Sequence, residues 1–470
     1  MDKISKFSLC ALILGGMYVP KANAQSVKEK ITKKKPNIIF ILADDIGYEA
    51  FNCDGGTSYR TPNIDNMAEK GMRFTQAYAQ PLSAPSRTEL MTGKYNFHNY
   101  EGFGIMSPSE VTFGNLMKDA GYTTGICGKW QMYGNAIQQK ISGRVGCLPT
   151  QVGFDHYFVW HTTFPYQKLP SADSLTRNVI LSALSKQKES RYKDPVILSD
   201  KGKFTYWGKY GPDLFLKWAE NFIEQNKNGD KPFFLYYPMV LMHDPFQATP
   251  NSVDYDHSTP NDKSNNKYFG DMMSYMDAIV GQVIQEVEKA GIADNTIIFF
   301  TGDNGTNVKI VSEWEKQHIK GDKGSSREWG IHVPFIAYWK NHIKPGQVNN
   351  NMIDFTDVLP TIMQAANFQI PDSFHYDGLS FYNQLMDHKN ASKRDWTFGW
   401  YYPKWGWGKF KNAIWIQEPT HTWKLYKTGE FYNLKNDIGE KHPITGNEMS
   451  GAEKKEKEKL SKEMNKVLHY

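Results

Sequence analysis

Four short polar motifs in this chain carry the residue types that chemistry on an anion requires. Asp44-Asp45 follow the apolar run NIIFILA, and Gly128-Lys129 follow YTTGIC. His243 lies just beyond PFFLYYPMV, and Asp303-Asn304 follow NTIIFFT. Asp44, Asp45, Asp303 and the amide oxygen of Asn304 are hard oxygen donors. Such a set suits Ca²⁺ or Mg²⁺ better than Zn²⁺, which prefers His or Cys. Lys129, Arg87 and Lys323 add positive charge. A divalent cation among basic side chains matches an anionic, oxygen-rich group such as sulfate or phosphate. Each motif alone has an ordinary alternative: a helix cap, a surface turn, an Asp-Asn-Gly turn, a satisfied loop histidine. Their recurrence after successive apolar runs argues for one converging site.

A fifth stretch, PLSAPSRTELMTGK at 81–94, holds Ser83, Pro85, Ser86 and Arg87. Its plain reading is a helix start, with Ser86 and Glu89 as a capping box and Pro85 near the first helical position. Ser83, just ahead of that helix, stands where a helix N-terminus favours negative charge.

The elements that must hold these groups are legible from patterning. The four runs, at 37–43, 122–127, 232–240 and 295–301, are continuously apolar and rich in β-branched and aromatic residues. That pattern suits strands buried on both faces, in a mostly parallel sheet flanked by helices. Ligands of such open α/β sheets bind beyond the carboxyl ends of the strands. Between the runs, Phe215, Trp218, Ala219, Phe222 and Ile223 recur at helical spacing behind Pro212. Met272, Met276, Ile279, Val283 and Val287 do the same, with Gly291 placed to end the helix. These stripes are core. From about residue 391, WTFGWYY, NAIWIQ, HTWKLYK and GEFYNL alternate with turn residues and read as a smaller antiparallel sheet. The last stretch, GAEKKEKEKLSKEMNKVLHY, reads as a solvated helix, and residues 168–203 as a polar surface insertion. The domain reading is therefore 1–24 export signal, 25–390 catalytic α/β domain and 391–470 C-terminal subdomain.

The bulk properties narrow the class. With 470 residues and 40% hydrophobic content the chain can bury a large core. Its 55 basic and 50 acidic residues are close to balance, which implies no nucleic-acid partner. Lys3 and Lys6, the apolar CALILGGMYV and Ala22-Asn23-Ala24 form a cleavable signal, so a periplasmic or secreted place is expected, with no membrane span. Cys53, Cys127 and Cys147, the cysteines beyond the signal, are too few and odd in number for a disulfide framework and read as ordinary thiols.

In order along the chain, PNIIFILADDIGY, RTPNIDNMAEKGMRFTQAY, LSAPSRTELMTGK, GYTTGICGKW, TIIFFTGDNG, KGSSREWGIHVPFIAYW, DVLPTIMQAA and KLYKTGEFYNL resemble the blocks of the type I, formylglycine-dependent sulfatases. These form a branch of the alkaline phosphatase superfamily, and the likeness covers nearly the whole mature chain. The resemblance implies an alkaline phosphatase-like fold and conversion of Ser83 to formylglycine (3-oxoalanine) by a formylglycine-generating maturase. Many members start from Cys at this position; this chain resembles the serine-type bacterial members. Pro85 and Arg87 would belong to the maturation signal, and Arg87 would steady the hydrated aldehyde. The resemblance further implies that Asp44, Asp45, Asp303, Asn304 and the modified Ser83 hold one Ca²⁺. Lys129 and Lys323 would hold the sulfate, and His243 would protonate the departing alcohol. The chain departs from the family at Gln131, where a histidine is usual, at Trp329 for Gly, and at His332 for Arg.

The substrate expected is a sulfated carbohydrate, from the export signal and from aromatic segments such as WYYPKWGWGKF, where Trp405 and Trp407 could stack on sugar rings or serve the core. Two alternatives stand beside this reading. A phosphatase or phosphodiesterase of the same superfamily would need two zinc ions and several His ligands, which Asp303-Asn304-Gly305 does not provide. A glycan-binding protein with a decayed site is suggested by Gln131 and opposed by the intact acidic set and both lysines.

Overall fold

The run NIIFILA forms strand β1, Asn37–Ala43, buried along its whole length. Successive side chains of a strand point to opposite faces. Ile38, Phe40 and Leu42 accordingly enter one hydrophobic cluster, and Ile39, Ile41 and Ala43 enter another. Each of these Ile, Leu and Phe side chains contributes roughly 1.5–3 kcal/mol by leaving water. The strand therefore acts as the divider between two cores. The structure is a computed structural model and describes residues 34–161, 190–259, 262–401, 413–446 and 449–469. The export signal, Trp405 and Trp407 lie outside the described residues.

The remaining strands, in chain order, are β2 (Met72–Tyr78), β3 (Thr123–Trp130), β4 (His156–His161), β5 (Val196–Ser199), β6 (Gly202–Thr205), β7 (Phe233–Pro238), β8 (Thr296–Gly302), β9 (Val311–Trp314), β10 (Gln317–Lys320), β11 (His332–Tyr338), β12 (Gln347–Asn349), β13 (Ile353–Asp354), β14 (Thr397–Trp400), β15 (Ile414–Gln417), β16 (Trp423–Tyr426) and β17 (Phe431–Asn433). The large sheet runs β12-β2-β11-β8-β1-β7-β3-β4-β5-β6, with β13 beside β2. The four apolar runs thus become neighbours, β8-β1-β7-β3, and every pair among them is parallel. Their carboxyl ends open on one side of the sheet. The antiparallel pairs lie outside this block, at β11 with β2 and β8 and at β4-β5-β6.

Helices cover both faces. The helix Gly211–Asn226 starts with Pro212 in its first turn and buries Phe215, Ala219, Phe222 and Ile223 in the same core as Ile39. The helix Phe269–Lys289 adds Met272, Met276, Ile279, Val283 and Val287 there, and Gly291 beyond its end is left-handed at φ +72°. On the opposite face, Leu359 and Ile362 pack with Leu90 and Met91 of the helix Ser83–Thr92. Cys53, Cys127 and Cys147 are free thiols. No helix among the described residues is long and apolar enough to cross a membrane.

Two expectations need correction. Residues 196–203 of the supposed surface insertion are not merely surface: with Phe204 and Thr205 they form the β5-β6 hairpin, which extends the large sheet from β4. The terminal helix, Gly451–Leu468, is solvated on one face only. Leu460 and Met464 dock against Phe398, Ile416, Leu425 and Phe431 of the four-stranded sheet β14-β15-β16-β17.

A buried ion pair ties this last part of the chain to the large core. Arg394 Nε and Nη2 donate to the two carboxylate oxygens of Asp357, each at 2.6 Å, and Nη2 also reaches Thr356 Oγ1 at 2.7 Å. Truncating one partner of such a pair strands the other in low dielectric, at a cost of about 3–5 kcal/mol. Arg394→Ala is expected to lower the melting temperature by several degrees in thermal unfolding followed by circular dichroism. An unchanged melting temperature would mean that the pair adds nothing to stability.

Candidate active site

At the open ends of β1, β8, β7 and β3 the chain brings its predicted polar groups together. Asp44 and Asp45 follow β1, and Asp303 follows β8. A backbone bond from Asp303 N to Ala43 O at 3.0 Å laces these two turns, and one from Asp44 N to Leu241 O at 2.8 Å ties the first to the segment after β7. Asp45 adopts the left-handed region at φ +61°, which short polar side chains tolerate. Lys129 is the penultimate residue of β3, so that strand runs three residues past its apolar stretch. Gly128 before it has φ +114°, and a Cβ there would lie 2.0 Å from Pro238 O. Glycine is required for β3 to pass β7 and deliver the lysine.

Ser83 is the first residue of the helix Ser83–Thr92, and Leu82 caps that helix without a side-chain bond. The capping box read for Ser86 and Glu89 does not form, because the helix already starts at Ser83, with Leu82 at the cap position. Ser86 Oγ instead ties back to Leu82 O and Gln80 O, while Glu89 turns inward to accept from Gln80 and Asn96. Arg87, one turn after Ser83, lies on the same helix face.

The Ser83 hydroxyl is the meeting point. It donates to Asp303 Oδ2 at 2.5 Å and accepts from Arg87 Nε and Lys129 Nζ, both at 2.9 Å. Arg87 Nη2 also reaches Asp303 Oδ2 at 2.9 Å, and Lys129 Nζ holds both oxygens of Asp44, at 2.8 and 2.7 Å. Lys323 Nζ donates to Asp45 Oδ2 at 2.5 Å, and His243 Nε2 stands 3.8 Å from the same oxygen. All nine predicted site residues therefore gather in one pocket. Ser83, Arg87, Lys129 and the acidic set are buried, and His243 and Lys323 are partly open.

The electrostatics are those of a crowded, dry site. Burial pushes Asp303 up, but Arg87, Lys129 and the Ser83 hydroxyl outweigh it and hold the carboxyl below its usual range. Burial raises Asp44, with Asp303 and Asp45 adding to the rise and Lys129 opposing it. Burial also lowers Lys129 to about 8 against the pull of Asp44. The Asp44–Lys129 pair is thus drawn toward its neutral forms, and one further positive charge beside Asp44 would keep the carboxylate ionised. Burial pushes His243 well below its ordinary value, helped by Arg191, Lys323 and Lys129. Its Nδ1 lies 2.6 Å from Asp244 O, so a proton there leaves Nε2 facing the pocket.

The departures from the family pattern fall to either side of this centre. Among the described residues Gln131 makes no hydrogen bond to Ser83. Trp329 stacks on Tyr48 at 5.6 Å, and His332 stacks on the same ring at 3.8 Å. His332 Nδ1 bonds the buried Glu328 carboxylate at 2.6 Å, and His421 Nε2 lies 2.8 Å from the same oxygen. This is a packing cluster rather than part of the pocket. Sequence reasoning missed one pocket residue, Arg191, which lies 3.7 Å from Asp44. The signal for it was Arg191-Tyr192 just ahead of the strand-like PVIL within a polar stretch.

Comparison with known proteins extends these observations. The model of the Sulfatase family matches residues 36–368. A second, described as N-sulphoglucosamine sulphohydrolase, C-terminal, matches residues 317–469. Arylsulfatase D of Homo sapiens is 26% identical over 469 residues, covering 85% of this chain and 76% of the relative. N-acetylgalactosamine-6-O-sulfatase of Bacteroides thetaiotaomicron is 27% identical over 437 residues, covering 82% of each chain. The crystal structure of Ps i-CgsB in complex with k-i-k-neocarrahexaose is similar at a TM-score of 0.69 and 26% identity, covering 92% of each chain.

Proposed function

The chain belongs to the sulfatase family and is a sulfuric ester hydrolase, and from that premise we propose that it removes O-sulfate from a carbohydrate at the pocket around Ser83. The observation that carries this reading is the Ser83 oxygen held at once by Arg87, Lys129 and Asp303. The carbohydrate class is supported by relatives named for a sugar sulfate and solved with an oligosaccharide. The basic start, apolar run and Ala-Asn-Ala of the N-terminus support export to the periplasm or beyond.

The residues present fit a hard cation. Asp44, Asp45 and Asp303 converge as carboxylates, and Asn304 Oδ1 is buried without a partner while its amide nitrogen is engaged. Asp44, Asp45, Asp303 and Asn304, with an oxygen at position 83, would hold one Ca²⁺, which would polarise sulfate oxygens and offset charge. The pocket also fits formylglycine at 83. Arg87 Nη1 is buried with no partner, a donor in hand for a second oxygen there. The aldehyde, as its hydrate, would supply a nucleophilic oxygen where serine alone is a weak one. Ser83 is only 3% exposed in the folded chain, which supports oxidation by the maturase before this segment folds.

The chain's own residues divide the remaining work. Lys129 and Lys323 present ammonium groups on two sides of the acidic cluster and bind the sulfate oxygens. Arg87 orients the oxygen at 83 and balances Asp303. His243 is neutral among Arg191, Lys323 and Lys129. A bound anionic ester cancels part of their field and restores its affinity for a proton. Protonated at Nε2, it donates to the sugar oxygen as the S–O bond breaks.

Two measurements test this reading. Sulfate release should be seen from at least one member of a panel of defined sulfated mono- and oligosaccharides, and the matched phosphate esters should be poor substrates. Faster phosphate release would overturn it in favour of the phosphatase alternative. Second, His243→Ala should lower kcat/KM on that sugar sulfate by about 100-fold or more, because its alkoxide needs a proton. On 4-nitrophenyl sulfate, whose phenolate leaves unaided, the loss should stay within about tenfold. Equal losses on both would remove His243 from the acid role.

A further inference from the structure

Arg191 is a cation that the roles above leave unassigned. It comes from the segment just ahead of the β5-β6 hairpin, not from the parallel block. Its guanidinium carbon lies 4.1 Å from the centroid of the Trp160 ring, at the end of β4. Its Nη1 lies 3.7 Å from Asp44 Oδ2, the carboxylate oxygen that Lys129 Nζ holds at 2.7 Å. That distance is beyond a hydrogen bond, and Nη1 is buried with no hydrogen-bond partner. Only 11% of the side chain is exposed.

The segment is fixed, not draped. Tyr192 Oη donates to Val240 O at 3.0 Å and to His243 O at 2.5 Å, which ties residue 192 to the loop that carries His243. Lys193 Nζ donates to Tyr255 O and Ser258 O, at 2.6 and 2.8 Å. Arg191 is thus held beside Asp44, Lys129 and His243 by bonds on its C-terminal side and by an aromatic face under its guanidinium. A stacked guanidinium is set in plane and angle, which suits directed donation to an oxyanion. A buried, charged N–H without an acceptor is unfavourable, and a ligand oxygen relieves it.

We propose that Arg191 is a substrate-binding residue whose Nη1 donates to an anionic oxygen of the bound sulfate ester, between Lys129 and His243. This rests on the sulfatase reading of the same pocket. The cation is supplied by the segment just ahead of the β5-β6 hairpin, so grip on the anion is added from outside the parallel block.

The test uses matured, metal-loaded enzyme as wild type, Arg191→Gln and Arg191→Lys. Inorganic sulfate binding is measured by titration calorimetry, and kcat/KM is measured on a sulfate ester. Arg191→Gln should weaken sulfate binding and lower kcat/KM by roughly 10- to 100-fold, the range of one charge-assisted hydrogen bond. Its melting temperature should stay near that of the wild type, and Arg191→Lys should recover part of both losses. Sulfate binding by Arg191→Gln as tight as by wild type, or a fall in melting temperature with binding unchanged, overturns the proposal and leaves the sulfatase reading intact. A wild type that neither binds sulfate nor cleaves any sulfate ester overturns both.

Discussion

Ser83→Ala is expected to lower sulfate-ester hydrolysis by roughly 10⁴- to 10⁶-fold, the scale of losing a covalent nucleophile that acts as part of a unit. The structural argument is that, among the described residues, Ser83 carries the hydroxyl that Arg87, Lys129 and Asp303 all contact. Arg87 and Lys129 would keep their carboxylate partners, at 2.9 Å to Asp303 and 2.7 Å to Asp44, so the fold should persist. Initial rates on a sulfate ester, with a melting curve on the same sample, check this. A variant that retains a tenth of the activity with an intact fold would mean that the oxygen at 83 is not the attacking group.

Asp303→Ala should have the second-largest effect, and it should act on both function and stability. Asp303 accepts from Ser83, from Arg87 twice, and from Asp45 N at 2.9 Å. Its removal leaves the buried Arg87 guanidinium, among the described residues, with Asp44 at 3.7 Å as its counter-charge. Breaking such a pair costs about 3–5 kcal/mol. If the proposed cation is lost with Asp303, its electrostatic help, several kcal/mol, goes with it, and kcat/KM should fall by about 10³-fold. Elemental analysis should find about one Ca²⁺ per wild-type chain and far less in the variant, and added Ca²⁺ should not restore activity. Stoichiometric zinc in active wild-type enzyme, with activity lost on zinc removal alone, would contradict the oxygen-donor argument.

The parts of the fold that were legible in the sequence are those where local pattern and tertiary role agree. The runs at 37–43 and 295–301 are apolar without a break over 38–43 and 297–300 because both faces of β1 and β8 are buried, so composition alone marks them. The residues after them stand out because Asp44, Asp45 and Asp303 interrupt that pattern abruptly. Lys129 was legible for the same reason, although β3 carries it inside the strand. Where role and pattern part, the sequence is silent. Strand β2, MRFTQAY, mixes apolar with polar residues because only some of its positions are buried. In β11, Pro334 falls at the irregularity between Val333 and Phe335, which hides a central strand behind a residue that usually avoids one. The β5-β6 hairpin pairs at the sheet's far end and leaves Phe204 half exposed, so no hydrophobic period announces it. Arg191 was hidden because its role depends on Trp160 and Asp44, residues far from it in sequence. The Ser86–Glu89 pair shows the reverse error: correct cap spacing was outweighed by a helix that begins at Ser83.

The central claim is that position 83 is the reacting centre in its oxidised form. Peptide mass spectrometry on protein purified from its natural host tests this most directly, combined with specific activity measured on the same preparations. The account predicts that the peptide carrying residue 83 is two hydrogen atoms lighter than encoded, and that specific activity rises in proportion to the modified fraction. Fully active enzyme in which this peptide carries only unmodified serine would contradict it.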